Sequence, residues 1–250
     1  MQKTPSLTRQ PLAGARPRLN FRSQRKLRLC CAANTVPALK AWAPVCSALG
    51  DGLQTVLLRK GGIREPTFTP KFPAFLLLGT GYHTNSLLLK EEDQDRYQKE
   101  CESDPKTQPT LVFDCVAEIT GAWATTDPAV LMALEPLHIY GPDFLEARFG
   151  WRPTQPLTVM ELRAYKLKKP VVVDTKDEFW GCFSWVDVET GDTSNGNGDG
   201  NGGSLEELKK ISTPALDNID FAEKQKICRQ GLSKLQDLKE IKYNSQNLKS

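Results

Sequence analysis

The hydrophobic pattern changes period along the chain. Leu39, Trp42, Cys46 and Leu49 recur at steps of three, four and three, the spacing of one helical face, and predict a helix over Pro37 to Leu49. Pro44 lies inside it and removes a backbone donor, so the helix is expected to bend or to finish a first turn near Ala43. Gly50-Asp51-Gly52 marks a turn, after which Leu53 to Arg59 reads as a strand running into Gly61-Gly62. A second strand, Phe75 to Leu78, leads into Gly79-Thr80-Gly81-Tyr82-His83.

Glu91 to Pro109 lacks an apolar period and reads as a surface excursion with a short helix around Asp93 to Glu100. Leu111 to Ala124 alternates as a strand, with Phe113, Cys115, Ala117 and Ile119 on one face. Asp127-Pro128 opens a helix through AVLMAL, and Gly141-Pro142 opens another that closes near Gly150. Gly150 to Pro156 is a rigid turn before a strand over Leu157 to Leu167, and Pro170 to Asp174 is a short strand. Phe179 to Val186 is an aromatic-rich closing segment. Ser204-Leu-Glu-Glu207 is a capping box that starts a helix, and Ile219 to about Lys242 predicts a longer one.

These elements predict an α+β fold: a mixed or mostly antiparallel sheet of about five or six strands, an N-terminal helix, short interstrand helices and a C-terminal helical tail. The strands do not alternate with long helices, which disfavours a doubly wound nucleotide fold. The expected organisation is a leader over 1–33, a core over 34–189, a Gly/Asn linker over 190–203, C-terminal helices over 204–242 and a frayed tail over 243–250.

Charge changes the picture at the N-terminus. The first 33 residues contain no Asp or Glu but carry Lys3, Arg9, Arg16, Arg18, Arg22, Arg25, Lys26 and Arg28, so the net charge of +3 is a property of the leader. Arg mixed with Ser, Thr and Pro, without a continuous apolar run, is transit-peptide composition and predicts the chloroplast stroma, with the mitochondrial matrix as the alternative. The rival for this segment is a basic arm that binds nucleic acid. No stretch approaches the length of a membrane span. The seven Cys include no CxxC pair and no His at ligand spacing, which argues against a disulfide framework and a zinc site. A calcium-loop register over Asn195 to Glu206 fails at its first and eighth positions, so no metal site is predicted and no cofactor is identified.

Two stretches carry candidate chemistry. RKGGIREP places Arg59 and Lys60 beside Gly61 and Gly62 at a strand end, where guanidinium and backbone N–H groups can hold an anion. His138 to Tyr165 concentrates aromatic, basic and turn-forming residues where a helix, a turn and a strand meet. Within it Arg163 shares a largely apolar face with Glu161, and burial of a guanidinium there requires a partner, with Glu161 or Glu118 the candidates.

ALKAW at 38–42, LLRKGGIRE at 57–65, FLLLGTGYH at 75–83, the HIY, ARFGWRP and PLTVMELRAY run, and GCFSWV at 181–186 together resemble the family called domain of unknown function 1802. The resemblance covers roughly residues 36–240. It implies plastid descent, in agreement with the leader, and no established activity. Its pattern falls on Arg59, Lys60, Gly61, Gly62, Glu65, His83, His138, Arg148, Trp151, Arg163, Ser184 and Trp185; Gly79-Thr80-Gly81-Tyr82 departs from the proline-containing turn expected before the histidine.

Three functions follow as expectations. The first is a binding module for a phosphate-bearing ligand, a nucleotide or nucleic acid, using Arg59, Lys60, Gly61, Gly62, Arg148, Arg152 and Arg163 for phosphate and Trp151 or Tyr140 for stacking. The second is a hydrolase-type enzyme with His138 or His83 as acid or base, Glu65 or Glu118 orienting it and Arg148 or Arg59 stabilising charge, with a metal-dependent version using both histidines. The third is an assembly factor that binds a protein partner through its C-terminal helices, in which case the body folds without residues 190–250.

Overall fold

The computed structural model describes residues 34–62, 66–81, 86–190 and 203–243. Among the described residues eight strands form one sheet: β1 (Asn34–Trp42), β2 (Val56–Lys60), β3 (Ala74–Thr80), β4 (Thr110–Thr125), β5 (Leu157–Asp174), β6 (Trp185–Thr190), β7 (Ser212–Pro214) and β8 (Lys239–Glu240). The order is β2-β5-β4-β3-β1-β6, with β7 added to β5 and β8 to β4. β1 and β3 run parallel, and the other pairs are antiparallel. The helices are α1 (Ala43–Gly50), α2 (Glu91–Gln94), α3 (Gln98–Glu102), α4 (Ala129–Ala133), α5 (Pro142–Gly150), α6 (Leu205–Lys210) and α7 (Asn218–Leu232). This is the α+β class with a mixed, mostly antiparallel sheet. Among the described residues, no helix is long and apolar enough to cross a membrane.

Both faces of the central strands are covered. Phe75 and Leu77 of β3 enter a cluster with Leu39, Leu49, Val159 and Leu137, whereas Leu76 and Leu78 enter a second cluster with Ala38, Phe113, Val188 and Leu208. A strand packed on two sides shows no alternation, which is why β3 reads as the continuous apolar run AFLLL. The same cause overturns the N-terminal helix predicted from Pro37. Val36 and Ala38 join one cluster and Leu39, Ala41 and Trp42 the other, so residues through Trp42 form β1, hydrogen-bonded between β3 and β6. The helix begins at Ala43, placing Pro44 in its first turn, where the missing N–H has no helical partner to lose.

The capping box at Ser204 and Glu207 forms as expected. The last helix is shorter than the sequence predicts. It ends at Leu232, and Leu235, Leu238 and Ile241 reach the core from the irregular segments that precede and follow β8 instead of from a continuing helical face. Close approach helps set this geometry: a Cβ on Gly231 would lie 2.7 Å from the Ala133 carbonyl oxygen of α4. The carboxylate of Asp237 then takes hydrogen bonds from the hydroxyls of Thr125 and Thr126 and the backbone N–H groups of Thr126 and Asp127. These donors hold its pKa down at about 2, the Thr125 contribution being the largest. Tyr243 ends the segment with a 2.9 Å hydrogen bond to the Ile119 carbonyl.

Gly141 precedes α5 at another close approach, donating its N–H to the Leu88 carbonyl at 2.8 Å. A Cβ there would sit 2.8 Å from the Leu89 oxygen and 3.0 Å from the Leu88 oxygen, both backbone. Gly141→Ala is therefore expected to lower the unfolding free energy by about 1–3 kcal/mol. Urea denaturation reads this as a lower midpoint; an unchanged midpoint would mean that the loop yields without cost.

Candidate functional site

Lys40 interrupts the apolar run of β1 and is only 8% exposed. Its ammonium donates to the carbonyls of Phe179 at 3.3 Å and Gly181 at 2.9 Å, and lies 3.8 Å from the centre of the Phe183 ring. Arg59, near the end of β2, donates from Nη1 to the Lys40 carbonyl at 3.1 Å and from Nη2 to Ser184 Oγ at 2.8 Å. Ser184 immediately precedes β6, the far end of the strand order from β2. The sheet thus curls until its two ends meet through Arg59.

The second candidate stretch closes against the first. Lys60 donates to the Gln155 carbonyl at 2.6 Å and the Arg152 carbonyl at 3.3 Å, and Arg152 Nη1 donates back to the Gly62 carbonyl at 3.0 Å. Arg152 carries the left-handed backbone of this corner, at φ 53°. That conformation is one a non-glycine residue seldom adopts, and it turns the chain out of α5 toward β5.

Between these contacts lies a cavity of about 910 Å³. Lys40, Arg59, Lys60, Lys71 and Arg148 line it together with the rings of Trp42, Phe68, Trp151, Trp180, Phe183 and Trp185. Its described lining contains no Asp, Glu or His. The hydrogen-bond partners of Lys40 and Lys60 are carbonyl oxygens, which fix these two cations in place without cancelling their charge. Burial lowers the pKa of Lys60, and that of Lys40, where Arg59 adds a smaller push in the same direction. An entering anion would reverse that penalty, since opposite charge favours the protonated lysine. The arrangement can therefore hold negative charge against aromatic surface.

Of the residues singled out from sequence, Arg59, Lys60, Gly61, Gly62, Arg148 and Trp151 line this one cavity. Glu65 and His83 lie outside the described residues. His138 and Arg163 lie elsewhere. The His138 ring is 2% exposed, 5.2 Å from that of Tyr140, and neither ring nitrogen has a hydrogen-bond partner. Desolvation, with the nearby charge of Lys90 adding to it, lowers its pKa to about 4, so the ring is a neutral packing element at pH 7. Among the described residues, no group of three or more His, Cys, Asp and Glu is arranged to hold a metal ion.

The expected pairing of Arg163 is corrected as well. Its guanidinium donates to Asn218 Oδ1 and lies 5.0 Å from the Phe221 ring, which docks the start of α7. Glu161 is 1% exposed and instead accepts from Thr120 Oγ1 at 2.7 Å, Gln225 Nε2 at 2.8 Å and Arg229 Nη2 at 2.8 Å. Glu118 stands opposite Arg163 in the β4–β5 register but takes Lys209 at 2.6 Å and the Tyr165 hydroxyl at 3.1 Å.

Sequence reasoning did not single out Lys40, Lys71 or the Trp180 to Phe183 wall as parts of this site. A lysine inside an apolar run, as in ALKAW, is the local signal for Lys40, because a buried ammonium requires a built set of acceptors. Lys71 carries no such signal.

The family whose description reads "Domain of unknown function (DUF1802)" matches residues 38–198, more than half of the chain. A comparison with curated proteins found no match. Among solved structures, ASCH from Zymomonas mobilis is similar at 11% identity and a TM-score of 0.36, over 60% of this chain and 85% of that one. A mutant form of the same protein gives 11% identity and 0.38, over 60% and 87%.

Proposed function

We propose a function for a chain that belongs to the DUF1802 family: it is a binding module for a phosphate-bearing ligand, a nucleotide or nucleic acid, received in the cavity between β1, β2 and the segment before β6. The observation that carries this reading is the set of five cationic side chains around one cavity whose described lining holds no carboxylate. Where the cations are anchored on neutral oxygens, their field reaches into the cavity, and at an effective dielectric near 20 a phosphate charge about 4 Å away is worth roughly 4 kcal/mol per cation before desolvation.

Titration calorimetry at low ionic strength with nucleotides, inorganic pyrophosphate and short nucleic acids tests it. Binding is expected to weaken linearly in log K against log salt, and Lys71→Ala should reduce that slope by about one. Absence of binding to every phosphate-bearing probe at low salt would overturn the reading. The hydrolase alternative has lost His138 as a cavity group. The acid-free, Arg-rich leader supports import into the chloroplast stroma, and a fusion of residues 1–40 to a fluorescent protein, followed in plant cells, tests that assignment.

A further inference from the structure

Two rings of the cavity differ from the rest. Trp42 stacks on Phe144 at 5.5 Å, and Trp185 is wedged against Phe68, Phe72 and Phe75, so these are parts of the wall. Trp151 is 45% exposed and Phe183 44% exposed. Each is backed by an anchored cation: the Arg152 guanidinium is 4.6 Å from the Trp151 ring centre and the Lys40 ammonium 3.8 Å from that of Phe183. Two exposed rings lining one basic concavity form apolar surface rimmed by polar groups, the kind that marks a binding site. Backing by a cation fixes each ring while leaving its exposed surface for stacking.

The two rings come from segments more than 30 residues apart, one after α5 and one before β6, and line the same cavity. At about 910 Å³, that cavity is near the upper end of the roughly 300–1,000 Å³ that small ligands use. Cations lie against rings in its wall: Lys40 is 3.8 Å from the Phe183 ring centre and Arg59 5.1 Å from that of Phe68. A nucleoside triphosphate clusters its charge at one end and arrives with magnesium, which favours a carboxylate in the site, and the described lining supplies none. A duplex keeps its bases stacked on one another, out of reach of rings inside a concavity.

Resting on the phosphate-ligand reading above, we infer that the cavity receives an unpaired stretch of a nucleic acid strand, its bases stacking on Trp151 and Phe183 and its phosphodiesters lying against Arg59, Lys71 and Arg148. A strand that carries one base with each phosphate brings flat surface and negative charge together, as the lining brings rings and cations together.

The test is fluorescence anisotropy of the full chain with labelled single strands of about ten nucleotides, RNA and DNA, at about 50 mM salt, with matched duplex, AMP and pyrophosphate as competitors. Single strands should bind at least tenfold more tightly than duplex, AMP or pyrophosphate. Trp151→Ala and Phe183→Ala should each weaken single-strand binding roughly 5- to 150-fold without altering the circular dichroism spectrum. Equal affinity for AMP, pyrophosphate or duplex would overturn this inference and leave the phosphate-ligand reading standing. Undiminished single-strand binding by both variants would overturn the stacking roles. Failure of every phosphate-bearing probe to bind would remove both readings together.

Discussion

A chain that ends at Thr190 is expected not to fold, instead of folding and losing a partner-binding tail. The segment from Ser204 onward buries Leu205 and Leu208 against one face of the sheet, Leu232 against the other, and Phe221 beside Arg163. At about 1.5–3 kcal/mol for each large side chain, that burial is on the order of 6–12 kcal/mol, comparable with the roughly 5–15 kcal/mol that stabilises a whole domain. Removing it also takes Gln225 and Arg229 from the buried Glu161 carboxylate, leaving Thr120 as its remaining side-chain donor among those described. An uncompensated buried charge is itself costly. Circular dichroism and urea denaturation of residues 34–190 beside residues 34–250 give the answer. A cooperative transition at the same midpoint in both would contradict the expectation and restore the tail to a separate role. Leu232→Ala in the full chain is the milder form of the same experiment, expected to cost about 2–5 kcal/mol.

Acid is expected to destabilise the fold through His138. The unfolded chain takes up this proton near pH 6.5 and the folded chain only near 4, so the contribution of the neutral ring is fully present above pH 6.5 and is lost as pH falls from 6.5 toward 4. The interval corresponds to roughly 3 kcal/mol. His138→Phe keeps an aromatic ring beside Tyr140, leaves no unpaired nitrogen in the core, and should flatten stability across that window while leaving the carboxylate titration below it intact. Since the chain has two histidines, His83→Gln serves as the control. Parallel slopes of unfolding free energy against pH in wild type and His138→Phe would show that the buried ring does not govern acid sensitivity.

The elements most legible in the sequence are those whose faces differ or whose ends carry their own chemistry. The capping box at Ser204 forms and Gly141-Pro142 starts α5; β4 is a strand as its alternation predicts, but a register shift between Phe113 and Cys115 sends Phe113 into one cluster and Cys115, Ala117 and Ile119 into the other. β1 was illegible because burial on both faces erases the two-residue period and leaves apolar residues at steps that imitate a helix. The end of α7 was illegible for a related reason: Leu232, Leu235 and Leu238 repeat at helical spacing, yet the later two reach the core after the chain has turned at Ser233. For the site, strand-end glycines beside cations and a tryptophan in the rigid turn after α5 gave local signals for Arg59, Lys60 and Trp151. Their convergence with Lys40 and Phe183 follows from the curl of the sheet, which no local pattern records. Glu118 makes the point for a single side chain: register sets it opposite Arg163, and a helix some ninety residues later supplies Lys209, which takes it.

The meeting of β2 with the segment before β6 through Arg59 and Ser184 also orders events in time. β4 and β5 pair across a connection that contains α4 and α5, and the cavity requires Lys40, Arg59, Arg148 and Phe183 together, on a sheet completed by β8 near the end of the described chain. Contacts of such sequence separation slow folding, so the cavity is expected late in the folding of the chain. A ligand that binds there recognises finished molecules and draws the folding equilibrium toward them by mass action. Occupancy would accordingly report how much of the protein has matured.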